Sequence, residues 1–204
     1  MLRSTTPRKD RGFSLLELMI SVCIIMILAA FTVPRVMNTI TDIKLRYVAS
    51  NLGGLLQQAR MQAVRRNTWY AVQQAVLPSG DTAFYAHVKG NAYTAGDPAV
   101  PLATLETGFI GPGSGAPHES FFTAGQGFTI NPGTANPSFN ARGLPCFAAA
   151  NANNCPQNAG QGFAIFLSKP LFSGNLAWAA VIITPSGHSQ IWTYDNVGTW
   201  IQRD

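Results

Sequence analysis

The chain has 204 residues, 47% of them hydrophobic and only 11% charged, with a formal net charge of +5. Arg3, Arg8, Lys9 and Arg11, set against Asp10, precede the first apolar stretch and carry three of those five charges. The remainder is close to neutral, so the basic pI is no argument for a nucleic-acid partner, and the length suits one globular unit.

From residue 13 to residue 33 the chain runs 21 residues with Glu17 as its only charged side chain. About 20 such residues cross a bilayer as a helix. The basic flank before it stays in the cytoplasm, so the chain after Val33 is expected outside the inner membrane. A cleaved secretory signal has an apolar region of roughly 7–15 residues followed by a small-x-small site, and this run is longer with no convincing site. A lipoprotein signal needs small residues before its cysteine, but Ile20, Ser21 and Val22 precede Cys23. A plain anchor helix fits the hydropathy and leaves Glu17 unexplained. A carboxylate at mid-bilayer costs about 2.5–3.5 kcal/mol on insertion scales, less near an end.

Residues 12–18 read G-F-S-L-L-E-L. They resemble the prepilin signature of type IV pilins and type II secretion pseudopilins. That resemblance implies cleavage by a membrane prepilin peptidase after Gly12 and methylation of the new amino terminus at Phe13. It also places Glu17 at the family's assembly glutamate, where it faces the N-terminal ammonium of a neighbouring subunit. Two buried charges then neutralise each other. Pro34 falls where many pilins carry a helix-kinking proline.

Helical periodicity continues past the apolar run. Val36, Ile40, Ile43, Tyr47, Leu52, Leu55 or Leu56, Ala59 and Ala63 recur at three-to-four spacing and predict one buried face. Thr39, Asp42, Lys44, Arg46, Gln57, Gln58 and Arg65 make the opposite one. Gly53-Gly54 predicts a bend or a close packing contact, each glycine costing about 1 kcal/mol relative to alanine. Pro34 should kink the helix without ending it, because the periodicity resumes. One helix is expected from Phe13 to about Arg66, roughly 80 Å long at 1.5 Å per residue.

Leu52, Ala59, Arg60, Ala63, Val64, Asn67 and Val72 resemble the helix end and first strand of the GspH/FimT branch of pilin-like proteins. Members of that branch look like minor subunits near a filament tip, or the H pseudopilin of type II secretion.

Strand signals follow. Residues 69–77 and 82–89 flank the turn Pro78-Ser79-Gly80-Asp81 and predict a hairpin. From 90 to 160 the chain is rich in Gly, Pro, Asn and Ala, with short strands expected at 103–110, 120–123 and 127–131. Residues 138–145 resemble the family's phenylalanine-x-x-x-glycine turn. Residues 162–168, 176–184, 190–194 and 198–202 complete the strands, with Pro185-Ser186-Gly187-His188 as a turn. No internal repeat is seen. The expected fold is α+β and pilin-like, a long N-terminal helix laid on an antiparallel sheet. Its expected divisions are a leader at 1–12, a membrane or filament-core helix at 13–34, an amphipathic half at 35–67 and a periplasmic head at 68–204.

Cys23 reads as a packing residue of the membrane helix. Cys146 and Cys155 lie in the compartment where disulfides persist and are expected to pair. Closing so small a loop contributes at most about 3 kcal/mol on the chain-entropy model. No metal site, cofactor site or catalytic group is expected. His87, His118 and His188 are far apart, Gly125-x-Gly127 and Gly111-x-Gly113-x-Gly115 precede no helix, and Ser186-Gly187 lacks a nucleophile-elbow context.

The first functional expectation is a structural subunit, an inner-membrane minor pilin or pseudopilin. Its partners would be prepilin peptidase, other pilins or pseudopilins and the inner-membrane assembly platform. Type IV pilus and type II secretion both stay open. The second is a DNA receptor for natural transformation, because some FimT-like members resemble one. That reading implies a glycine-arginine-x-arginine turn, and Gly187-His188-Ser189-Gln190 lacks both arginines. From 143 to 204 only Lys169 and Arg203 are fixed cations, which is little for phosphate contacts. Trp192, Tyr194 and Trp200 read as sheet core in preference to base-stacking platforms.

Overall fold

The computed structural model of the chain describes residues 14–102, 106–124, 128–130, 136–149, 152–157, 160–195 and 198–203. Gly12 and Phe13 lie outside them, as do parts of the strands expected at 103–110 and 127–131.

Helix α1 (Leu15–Arg65) is one continuous element of 51 residues that passes through Pro34. Its end is set by hydrogen bonding. Asn67 takes a left-handed conformation at φ 48°. The Thr68 N–H donates to the Ala63 carbonyl at 3.1 Å and the Asn67 N–H to the Val64 carbonyl at 3.3 Å. This is the Schellman arrangement, and Asn tolerates the left-handed region better than most residues.

The strands form two sheets. In the first, the order is β3 (Ala99–Pro101), β2 (Thr82–Val88), β1 (Tyr70–Val76), β6 (Ser138–Phe139) and β7 (Pro145–Cys146). In the second it is β11 (Trp200–Arg203), β10 (Ser189–Tyr194), β9 (Leu176–Ile183), β8 (Gln161–Pro170) and β4 (Thr107–Ile110). Both paths are antiparallel throughout, and β5 (Thr129–Ile130) pairs parallel to β8. Helix α1 packs against strands of both sheets. The fold is therefore α+β and pilin-like in architecture.

One core joins Leu52, Leu56 and Ala59 of the helix to Val72, Phe84, Phe139, Ile165, Leu167, Val181 and Ile183. Fully burying each Leu, Ile, Val or Phe contributes about 1.5–3 kcal/mol. A second core lies on the far face of the second sheet, where Ala164, Phe166, Ala180, Ile182, Trp192 and Trp200 enclose Phe122. Alternate residues of β8 and β9 thus serve different cores. That explains why these two strands read as unbroken apolar runs, since both their faces are covered.

Two expectations are corrected here. Residues 120–123 are not a strand but the start of a short helix, α2 (Ser120–Ala124). It sets the Phe122 ring edge-on to Trp200 and Trp192, with centroids 4.9 and 5.6 Å apart. The carboxylate of Glu119 accepts from the Gly113 and Ser114 amides and from the Ser114 hydroxyl, which fastens the loop leading into α2.

The second correction concerns α1. Its buried face is Leu45, Val48, Ala49, Leu52, Gly53, Leu55, Leu56, Ala59 and Ala63. Val36, Ile40, Ile43 and Tyr47, expected on that face, are 42–68% exposed. At 3.6 residues per turn they lie on roughly the opposite side from Leu45 and Leu52. The helix carries two apolar stripes, and the sheets cover one. At Gly53-Gly54 the packing contact is what forms. Gly53 is buried against Ile191, while nothing stands within 4 Å of where a Gly54 Cβ would be.

Candidate functional site

The first half of α1 projects from the fold. Its most apolar 18-residue window has a mean hydropathy of 2.5 and no residue buried by the rest of the chain, so it is long and apolar enough to cross a membrane. Glu17 sits in the first turn and is exposed. A carboxylate there is favoured by the positive end of the helix dipole. The hydroxyls of Ser21 and Thr32 each donate to the carbonyl four residues back, at 2.8 Å. These two hydroxyls therefore bring no unsatisfied donor into hydrocarbon.

The uncovered stripe continues this surface past Pro34. Val36, Ile40, Ile43 and Tyr47 lead into an open groove of about 670 Å³, walled by Ser50, Asn51, Gly54 and Gln58 of α1 and by residues 98–101 at the edge of the first sheet. Pro101 leaves that edge one amide donor short. A side-chain surface suits the groove better than an added strand does.

At its far end α1 holds two turns. The Arg60 guanidinium donates to the Gly143 carbonyl at 2.9 Å and to the Ser186 carbonyl at 3.2 Å. The Gln57 amide donates to the Ser189 hydroxyl at 3.0 Å. Gly187 has φ +80°, and a Cβ on it would stand 2.5 Å from the Gly143 carbonyl oxygen. The turn at 184–188 is thus drawn against the turn at 140–144, and Arg60 is turned inward onto backbone. Gln57, placed by periodicity on the solvent face, belongs to this contact. Its polarity concealed a partner 132 residues away.

The two cations of the C-terminal part are engaged as well. Lys169 pairs with Glu106 at 2.9 Å, and the Arg203 Nε donates to Thr193 at 3.1 Å. Trp192 and Trp200 are buried, with Tyr194 packed beside them. The C-terminal cations and aromatics therefore offer the DNA-receptor reading no basic groove of their own.

The histidines do not meet. The His87 ring nitrogen lies 3.6 Å from Asp97, the His118 ring packs beside Tyr194, and His188 is exposed in its turn. Among the described residues there is no group of three or more metal-type side chains. Two carboxyl and phenol groups are perturbed. Burial raises the Asp42 carboxyl above its ordinary value, opposed by Arg46, and burial with the nearby Asp97 charge raises the Tyr85 phenol.

Cys146 and Cys155 are bridged. Inside their loop the Ala152 carbonyl accepts from the Trp69 indole at 2.8 Å, which fixes the loop to the start of β1. Cys23 is a free, exposed thiol on the projecting helix.

The long apolar helix on antiparallel sheets defines a pilin-like class of architecture. Residues 7–33 match the family model described as the prokaryotic N-terminal methylation motif. The match supports the type IV pilin-like family and spans Gly12, Phe13 and Glu17. No curated protein and no solved structure matches the chain.

Proposed function

We propose that the chain is a minor pilin or pseudopilin, a structural subunit of a type IV pilus or a type II secretion pseudopilus. Prepilin peptidase cuts between Gly12 and Phe13 and methylates Phe13. The subunit then waits in the inner membrane with its N-terminus cytoplasmic and residues 68–204 in the periplasm. Assembly draws residues 13–34 into the filament core, with Glu17 opposite a neighbour's ammonium and Pro34 as a bend point. The observation that carries this reading is the apolar half of α1, wholly uncovered and headed by the methylation motif.

Several features favour the GspH/FimT branch. Leu52, Ala59, Ala63 and Val72 are core residues, Asn67 closes the helix, and Arg60 fastens the two turns. The loops between 90 and 160 provide a surface for protein contacts at a tip or in initiating assembly. The uncovered stripe from Val36 to Tyr47 is the natural seat for neighbouring helices.

Sheared filaments from cells carrying Glu17→Ala test the assembly step. The variant should be cleaved normally yet be depleted from filaments, because the neighbour's ammonium loses its carboxylate. Wild-type incorporation would refute the role given to Glu17.

A further inference from the structure

The strands of the second sheet run along α1, so its turns sit at opposite ends. The 184–188 turn meets Arg60 near the helix C-terminus. The turn joining β8 to β9 meets the helix near its apolar half, where the Phe172 N–H donates to the Asn38 side-chain carbonyl at 2.9 Å. Asn38 stands five residues beyond Val33, about 7–8 Å along the axis at 1.5 Å per residue. The headgroup layer on each side of a bilayer is about 5–8 Å deep. A span ending at Val33 therefore holds this turn at the level of the headgroups.

The composition of the turn suits that level. Phe172 is 68% exposed and Leu176 48% exposed, where the turn at 78–81 presents Pro78, Ser79 and Asp81, the turn at 184–188 presents Ser186 and His188, and the β10–β11 turn presents Asp195 and Thr199. The turn is built to hold this shape. The Leu171 N–H donates to the Asn175 carbonyl at 2.7 Å and the Gly174 N–H to the Leu171 carbonyl at 3.0 Å. Arg35, exposed and one turn before Asn38 on the same side of α1, puts a cation at the level of the lipid phosphates.

We propose that the turn between β8 and β9 is a second membrane contact. Phe172 and Leu176 enter the headgroup layer of the bilayer that α1 crosses and fix the rotation of the sheets above it before assembly. This rests on the reading of α1 as a membrane span. Leaving the bilayer then requires breaking an aromatic contact as well as withdrawing the helix.

Spin labelling of the full chain, in vesicles of phosphatidylethanolamine and phosphatidylglycerol at high lipid excess, tests it. The bridged cysteines do not react with a thiol-specific label, so Ser173→Cys in a Cys23→Ser background reports the turn while keeping Phe172 and Leu176. Native Cys23 reports the span. Arg66→Cys in the Cys23→Ser background reports the far end of the helix. The label at 173 should give an oxygen-to-nickel collision ratio several-fold above that at 66, and adding Phe172→Asp should abolish the difference. A ratio at 173 equal to that at 66, with Cys23 still buried in lipid, overturns the proposal and leaves the span intact. Protection at 173 only at low lipid-to-protein ratio assigns the turn to a neighbouring subunit and also overturns it. An aqueous ratio at Cys23 overturns the span and the proposal together.

Discussion

Arg60→Ala separates a structural arginine from a ligand-binding one. The guanidinium makes two hydrogen bonds to backbone carbonyls, at 2.9 and 3.2 Å, and these join turns 83 and 126 residues away in sequence. Hydrogen bonds from charged donors contribute about 1.5–3 kcal/mol each. The bond to Gly143 is part-buried and the bond to Ser186 exposed. A combined loss of about 2–4 kcal/mol follows, weighted to the first bond. With a urea slope of about 2 kcal/mol/M, the unfolding midpoint should fall by about 1–2 M at unchanged slope. Equilibrium unfolding of the detergent-solubilised chain, followed by tryptophan fluorescence, reads this directly. Arg60→Lys should recover only part of the loss, because an ammonium cannot offer two donors in one plane. A midpoint unchanged by Arg60→Ala would refute the clamp. Arg60 would then be free to meet an anionic ligand.

Four further outcomes are expected. Gly187→Ala should destabilise by about 1–3 kcal/mol, from its left-handed backbone and the close Gly143 carbonyl. Gly54→Ala, with open space at its Cβ, should instead stabilise by about 0.5–1 kcal/mol. Thermal unfolding of both variants checks the pair, and equal shifts would contradict the packing. Cys155→Ser should lower stability by no more than about 3 kcal/mol and change the fluorescence of Trp69, while a stability equal to the parent's would refute the loop's role. Asp42→Asn should raise the melting temperature at neutral pH. Because burial holds the Asp42 carboxyl above 3.8, its favourable contribution is complete below that value and is lost as pH rises through the folded value. The advantage of the amide should therefore shrink as pH falls toward 3.8, and an advantage growing in acid would contradict this.

The elements that depend on local chemistry were legible in the sequence. The helix ends at Arg65, one residue before the position read from periodicity. The hairpin at 69–89 appears as β1 and β2 around its Pro-Ser-Gly-Asp turn. The disulfide pairs as expected. The misreadings have a common physical origin. Val36, Ile40, Ile43 and Tyr47 are apolar at helical spacing, yet periodicity does not say which stripe meets a sheet and which is left for a partner. Ser120 to Thr123 carries two phenylalanines that suit a strand, and only the distant Trp192 and Trp200 make a helical turn the better way to bury Phe122. Short β3 forms against the seven-residue β2, and its own residues carry little β-signal. The N-terminal motif was legible as a motif, and residues 7–33 match the family model for it. The inward turn of Arg60 was not, because its partners are backbone carbonyls that any sequence supplies.

The central claim is that this is a processed, assembling pilin-like subunit. Its most direct test is the mass of the N-terminus of the protein purified from membranes, with and without an active prepilin peptidase. With the peptidase, the chain should begin at Phe13 and carry a methyl group on its amine. Without it, residues 1–12 should remain. A Gly12→Ala chain should stay full-length in both. An intact leader beside an active peptidase, or a cut anywhere other than after Gly12, would contradict the account.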